Sequence, residues 1–267
     1  MSKPGTKSKG KSHSPHLDEL DDVDALFYLS EEEPRPKESS RGSGKAGRTV
    51  RKEPPKIVAL VSRKGGTGKT SLAMNLAEVL STRRRRVVVV DLDRGADAVK
   101  WQGRGGELSF AVMRVDSRGG ERELKKRLDE AAAEADLLIL DTPPANARVM
   151  SRAVQAADLV LIPTGPSTLD VVATVEVVKE SLGFRDADQQ DTPRVALVPS
   201  RLISGTRLAK ELPRQLEKLS LPVAPGIGQR VEVAVAGSEG RAVRPKSQAG
   251  LEFSKLARFV LRNLRQT

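Results

Sequence analysis

Cysteine is absent from all 267 residues. That absence excludes disulfides, a thiolate zinc site, an iron–sulfur cluster and a cysteine nucleophile, and it fits a reducing cytosol. Aromatic residues are almost as scarce, with one Trp, one Tyr and five Phe, so a core must rest on Val, Leu, Ile and Ala. No apolar run approaches the roughly 20 residues that a membrane span needs. Met1 to His16 is basic with no apolar stretch after it, which is not the pattern of a secretory signal. No internal repeat is evident. At 38% hydrophobic and 30% charged, the composition is that of a globular chain, long enough for one large α/β domain plus additional material.

What the chain has in excess is positive charge. Lys and Arg number 46 against 35 Asp and Glu, a net charge of +11. Residues 1–55 are nearly balanced, with 11 basic and 10 acidic residues, so the surplus belongs to the remainder. A surplus of this kind suits non-specific polyanion binding, and equally a solvated charged surface.

Residues 1–55 read as an extension rather than a domain, rich in Ser, Gly, Lys and Pro with charge in blocks. Within it, residues 17–33 are acidic, and Leu17, Leu20, Val23, Leu26 and Phe27 recur at helical spacing. An isolated helix this short is marginal in water. The apolar register favours a segment that folds onto a partner over a purely solvating tail.

From Lys56 onward, apolar runs alternate with helical patterns. Strands are expected at Ile57–Val61, Val87–Val90, Phe110–Val115, Leu137–Leu140, Leu159–Ile162 and Val195–Val198. Helices are expected at Ser71–Leu80, Leu124–Ala135, Ala147–Ala156, Leu169–Leu182 and Leu208–Leu219. Continuous β-branched runs indicate strands covered on both faces, and their alternation with helices predicts a doubly wound, mainly parallel sheet over residues 56–267. Such sheets bind ligands beyond the carboxyl ends of their strands.

The first of those ends carries Lys64-Gly65-Gly66-Thr67-Gly68-Lys69-Thr70-Ser71, between a strand and a helix. In that setting the string predicts a phosphate-binding loop. Glycines let backbone N–H groups curl around phosphate oxygens, and the helix N-terminus favours an anion. Lys69 would reach the β and γ phosphates of ATP, and the Thr70 hydroxyl would sit on Mg²⁺.

Lys64 is not required by an ordinary phosphate loop. With it the loop resembles that of the deviant Walker ATPases, the ParA/MinD superfamily, and most closely its small ParA-type (ParF-like) partition members. The resemblance runs through most of residues 57–265. It implies that Lys64 acts across a nucleotide-sandwich homodimer while Lys69 acts within its own subunit, so that dimerisation depends on ATP. It implies further that Asp91-Leu92-Asp93 is the first switch, with Asp93 orienting the attacking water and Asp91 nearer the Mg²⁺ shell. A carboxylate suits either task. The family's usual Pro-Gln is here Arg94-Gly95, which leaves the switch backbone less constrained. Trp101 is also typical of the small partition members; packing is its plainer role. Asp141-Thr142-Pro143-Pro144 resembles the Walker B acid, holding Mg²⁺, followed by the second switch. Ile162-Pro163, the run Pro166 to Asp170 and the run Leu197 to Arg201 resemble the later strand ends, and Pro199, Ser200 and Arg201 are placed near the adenine.

In ParA proteins late basic residues hold DNA without reading its sequence. The corresponding candidates are Arg201, Arg207, Lys210, Arg230, Arg241 and Arg244, with Arg214 and Lys246 nearby. Phosphate contacts need charge, not base-reading geometry. The run Arg83 to Arg86 falls at the edge opposite the nucleotide. The last helix, Gln248 to Arg265, has Phe253, Leu256, Val260 and Leu264 on one face. Packing on the sheet is the favoured reading, and a MinD-like membrane anchor the other.

The absence of cysteine argues against the nitrogenase-reductase and scaffold branches, and a lone tyrosine, Tyr28, against the tyrosine kinases. The reading is a cytoplasmic, nucleoid-associated ATPase that dimerises with ATP and Mg²⁺, binds DNA non-specifically and positions a cargo. A ParB-like or adaptor protein would stimulate hydrolysis, with residues 1–55 as its candidate docking segment. The alternatives are a MinD-like membrane-cycling regulator and, further off, a metabolic ATP-dependent ligase.

Overall fold

The computed structural model describes residues 54–116, 120–183 and 194–265. The amino-terminal extension expected over residues 1–55 therefore lies outside the described residues, save for Pro54 and Pro55. The strands are β1 (Lys56–Leu60), β2 (Val87–Asp91), β3 (Ala111–Arg114), β4 (Leu137–Asp141), β5 (Leu159–Thr164) and β6 (Arg194–Pro199). They form one sheet in the order β3-β2-β4-β1-β5-β6, and every pairing is parallel. The doubly wound parallel sheet expected from the sequence is the observed architecture.

The helices are α1 (Lys69–Leu80), α2 (Asp97–Gln102), α3 (Gly120–Glu134), α4 (Ala147–Ala156), α5 (Thr168–Gly183), α6 (Arg207–Glu217), α7 (Val231–Ser238) and α8 (Gln248–Arg265). They cover both faces. Val58, Leu60, Val87 and Val89 point into one apolar layer with α1, α2, α7 and α8. Ala59, Val61, Val88 and Val90 point into the other with α3, α4, α5 and α6. Because side chains alternate along a strand, a strand covered twice must be apolar at every position, which is why β1, β2 and β4 read as unbroken runs.

Two helices escaped the sequence reading. α2 has only six residues, too short to show a period. α7 reads Val-Glu-Val-Ala-Val, an alternation that looks like a strand until tertiary packing overrides it.

The register places function. Leu60 pairs with Asp141, and Asp91 also pairs with Asp141, so the ends of β1, β4 and β2 lie side by side. Thr164 pairs with Pro199, bringing the loops after β5 and β6 together. At the other end of α1, the Arg85 guanidinium donates to the carbonyl of Leu80 at 3.3 Å, a cation on a helix C-terminus.

In α8 the residues Phe253, Leu256, Val260 and Leu264 are buried, packed in the same layer as α1. The face that a membrane anchor would have to offer is thus inside the protein. No helix among the described residues is long and apolar enough to cross a membrane. Phe253 is among the largest fully buried side chains. Phe253→Ala is expected to lower unfolding stability by about 3–5 kcal/mol, the range for truncating a buried aromatic, read as a fall in the urea midpoint with an unchanged m-value.

Candidate functional site

A cleft of about 660 Å³ opens over the carboxyl end of the sheet. The segment Gly65 to Ser71 lines it, together with Asp93, Thr142, Pro144, Ser200, Arg201 and Arg230. Gly66 and Gly68 have φ of 74° and 94°, left-handed conformations that a side chain would strain. Those two residues curl the loop so that α1 begins at Lys69 facing the cleft. The N-cap of α1 is Gly68, and no side chain caps it. The first-turn N–H groups of a helix have no intrahelical acceptor, so here they are left for a ligand, with the positive end of the helix dipole behind them.

Beneath the loop lies a short polar chain. Lys69 is buried, and its Nζ donates to Ser62 Oγ at 3.1 Å. Ser62 Oγ also lies 2.9 Å from Thr67 Oγ1 and donates to the Lys64 carbonyl at 2.8 Å. Burial pulls the Lys69 ammonium below its ordinary range, and the charges of Asp141 and Asp93 pull it back. An ammonium so poorly solvated gains most when an anion arrives.

Thr70 Oγ1 donates to Asp141 Oδ2 at 2.7 Å. Asp141 is 1% exposed, and its Oδ1 is buried without a hydrogen-bond partner among the described residues. Burial drives its carboxyl up to about 7; the Thr70 hydrogen bond opposes this, Asp91 adds to it, Lys69 opposes it and Asp93 adds again. A hydroxyl spent as donor on a carboxylate keeps its lone pairs, and beside it stands an orphaned carboxylate oxygen. That pair fits Mg²⁺, which takes oxygen ligands and usually keeps water and substrate phosphates in the rest of its shell. No group of three or more carboxylate or imidazole side chains is disposed to hold a metal among the described residues, so phosphate oxygens would have to complete the shell.

Asp91 is fully buried beside this pair but does not line the cleft. Its Oδ1 accepts from Asp93 N–H at 3.0 Å; its Oδ2 accepts from Ala98 and Val99 at 3.0 and 3.2 Å. Oδ2 thus holds the first turn of α2 to the end of β2, and Oδ1 closes the turn from Asp91 to Asp93. Asp93 stands on the cleft wall and its Oδ1 accepts from Gly95 N–H at 3.0 Å, so the Arg94-Gly95 turn closes on the acid itself.

The remaining expected residues divide. Ser200 and Arg201 line the cleft, and Arg201 donates to the Gly66 carbonyl at 2.8 Å. Pro199 lies outside it; the Pro199 carbonyl accepts from Ile227 N–H. Lys64 points away from the cleft to the rim, its Nζ 2.6 Å from Asp170 Oδ1. Burial raises the Asp170 carboxyl, but hydrogen bonds from Lys64 and Ser167 outweigh it and hold the group below its usual range. Arg230 reaches the cleft and pairs with Glu252, Nε to Oε2 at 3.1 Å. Arg207 and Arg241 pair with Glu211 and Glu239 on the surface, and Lys210 and Arg244 are exposed. None of these four lines the cleft.

Ser62, Arg104, Gln229 and Glu252 carry no local signal in the sequence. Ser62 is an ordinary strand-end serine in sequence. Arg104 meets the Gly237 carbonyl, and Trp101 donates to the Arg241 carbonyl at 3.0 Å. Those contacts span more than 130 residues, which no local spacing reveals.

The model of the CobQ/CobB/MinD/ParA nucleotide binding domain matches residues 58–243. A maintenance of carboxysome distribution protein A from Gloeobacter kilaueensis is 36% identical over 132 residues, 48% of this chain and 57% of that relative's length. The chromosome-partitioning ATPase Soj of Thermus thermophilus is 27% identical over 251 residues, 78% of this chain and 96% of its own. Among solved structures, apo McdA from Cyanothece superposes with a TM-score of 0.66 at 20% identity, covering 77% of this chain and 99% of that one. The Aquifex aeolicus MinD cell division protein gives 0.61 at 16%, covering 78% and 97%.

Removing the Asp141 charge should separate stability from binding. With its carboxyl raised to about 7 from 3.8, the folded chain binds a proton in that interval that the unfolded chain has lost. Stability of the nucleotide-free protein should therefore fall as pH rises from about 4 to about 7. Asp141→Asn is expected to flatten that fall and raise Tm at pH 8, while weakening Mg²⁺-dependent nucleotide binding at least tenfold. Parallel thermal melts and fluorescent-nucleotide titrations check both halves.

Proposed function

We propose that this chain, which belongs to the CobQ/CobB/MinD/ParA nucleotide-binding family, is a ParA-type ATPase that dimerises on ATP and binds DNA without sequence preference. A partner protein stimulates hydrolysis and so releases it, and repeated cycles position a cargo. The observation that carries the reading is one cleft floor holding an uncapped glycine-built helix start, a buried Lys69 and the Thr70–Asp141 pair.

In this reading the amides at the start of α1 and Lys69 hold the phosphates. Thr70 and Asp141 would hold Mg²⁺, which would supply neutralisation of charge on the transferred phosphoryl group. Asp91 keeps α2 in place, which sets the wall from which Asp93 orients water. Lys64 serves a second copy: it stands at the rim, where Leu169 and Val172 are 73% and 52% exposed. A lysine already held by Asp170 exchanges one anion for another when the partner's nucleotide arrives, so the dimer's gain is the difference between two ion pairs.

The basic surplus supports DNA as the surface on which the cycle runs. Arg207, Lys210, Arg244 and Lys246 are exposed, as phosphate contacts require. The names of the carboxysome-distribution and chromosome-partitioning relatives favour cargo positioning over small-molecule ligation. Residues 1–55 remain the proposed docking segment for the stimulating partner, and the nucleoid the proposed location.

The test is binding to a non-specific duplex with ATP, ADP or no nucleotide, for the wild type, Asp93→Ala and Arg241→Ala/Arg244→Ala. A component that appears with ATP, persists in Asp93→Ala and shrinks in the double arginine variant supports the cycle. Loss of any ATP-dependent component overturns it. Deleting residues 1–50 is expected to abolish partner stimulation while leaving ATP affinity within about twofold.

A further inference from the structure

The nucleotide cleft uses one end of α1; the other end presents an arginine cluster that the proposed cycle does not use. α1 has 12 residues, so the two ends are about 18 Å apart at 1.5 Å per residue. Immediately after α1 the chain reverses through Thr82-Arg83-Arg84-Arg85. The turn is rigidly held: Thr82 N–H donates to the Arg85 carbonyl at 3.0 Å, and Arg85 N–H to the Thr82 carbonyl at 3.1 Å. The Thr82 hydroxyl accepts from Arg84 and Arg85 N–H. Arg83 and Arg84 occupy the two central positions and project into solvent. Turns favour Gly, Asn, Asp and Pro for backbone reasons; arginine contributes nothing to the turn itself.

α8 brings more charge to the same place. Leu80 at the end of α1 and Leu264 near the end of α8 share one core layer. Lys255, Arg258, Arg262 and Arg265 follow at spacings of three and four, which puts them on one helix face. Arg265 is close enough to Arg85 to depress its guanidinium, adding to a larger effect of burial, with Asp136 opposing both. The acid at hand is Asp136, which accepts from Arg86 N–H at 2.7 Å and faces its guanidinium at 3.7 Å. Arg83, Arg84 and Arg262 make no ion pair among the described residues. The fold therefore gathers like charges at one end and leaves several unneutralised, a repulsion that a bound polyanion relieves.

We propose that the Arg83–Arg84 turn and the Arg262 face of α8 form a second DNA contact, which holds the duplex phosphate backbone independently of nucleotide. The position opposite the cleft, the fixed turn and the guanidinium forks carry it; an arginine fork matches phosphate oxygens two at a time. Duplex is favoured over single strands because, among the described residues, no exposed aromatic side chain is present there for bases to stack on. The contact goes beyond the ATP-dependent cycle and does not rest on it. It gives the monomer a weak, salt-sensitive hold on DNA before ATP is bound.

The experiment uses the full chain without nucleotide and a 30-base-pair duplex, titrated across a salt series by fluorescence anisotropy. Arg83→Ala/Arg84→Ala/Arg262→Ala should bind at least tenfold more weakly at low salt. The slope of log K against log salt should become shallower by about 2–3, since each lost phosphate contact removes about 0.9. The corresponding triple lysine variant should keep most of the slope, and both variants should keep the wild-type urea midpoint. A wild type that binds no duplex without nucleotide, or an alanine triple that binds like wild type, overturns the proposal. So does tighter binding to a single strand of equal length, which points to RNA or unpaired DNA instead. Because every arm omits ATP, these outcomes are separable from failure of the ATP-dependent component.

Discussion

A carboxylate taken out of water without a full set of partners is the constraint around which the cleft is organised. Asp141 ends a central strand, flanked by β1 and β2, so its burial follows from the sheet order rather than from any local choice. One oxygen has Thr70; the other has no hydrogen-bond partner among the described residues. Lys69 is nearby, yet its Nζ is hydrogen-bonded to Ser62 rather than to Asp141. The ligand-free site thus holds two incompletely compensated charges of opposite sign. In the proposed function a metal–phosphate complex would supply a cation to one and anions to the other at once. Binding there would recover the stability that this floor holds in reserve, the usual relation between a functional site and its fold.

The same logic separates the two lysines of the loop. Lys69 is buried and tied only to a neutral hydroxyl, so nothing ionic must be broken before it meets a phosphate. Lys64 is 45% exposed at its side chain and already satisfied by Asp170, whose other oxygen accepts from Ser167. Gly165 makes this possible, since a Cβ there would stand 2.5 Å from Asp170 Oδ2. In the proposed cycle Lys69 would be preorganised for binding within its own subunit. Lys64 is held in a solvent-screened ion pair, which the proposed transfer to a second copy would have to break. Such a pair is worth little on its own, enough to hold a side chain in place and not enough to block its transfer.

Local chemistry was legible in the sequence where it depends on neighbours along the chain. The glycine loop, the strand before it and the helix after it needed only residues 57–80, and the acids at the strand ends followed from the apolar runs that precede them. The buried face of α8 was legible because a long helix shows its period. Contacts between distant segments were not. Asp170 appeared only as part of a strand-end motif, and the ion pair it makes joins residues 106 positions apart. Arg230 read as a surface cation but lies at the cleft, held by Glu252 from α8. Its backbone neighbourhood, the short α7, has an alternating pattern that local propensity misreads.

Asp91 shows why the switch could be located but not understood from its spacing. The resemblance gives Asp93 the attacking water and places Asp91 nearer the Mg²⁺ shell, and a carboxylate suits either task. The fold gives them different surroundings: both oxygens of Asp91 accept from backbone N–H groups in the interior, while Asp93 stands on the cleft wall. Three backbone N–H groups occupy Asp91, so it ties α2 to β2, and Trp101 and Arg104 then tie the α2 region to the Gly237–Arg241 segment. A displacement of Asp93 that moved the Asp91 hydrogen bonds would thus be felt at a segment bearing one of the late arginines, Arg241. Asp91, expected near the Mg²⁺ shell, is in the structure also the joint between β2 and α2, and through Trp101 it is linked to the Arg241 segment.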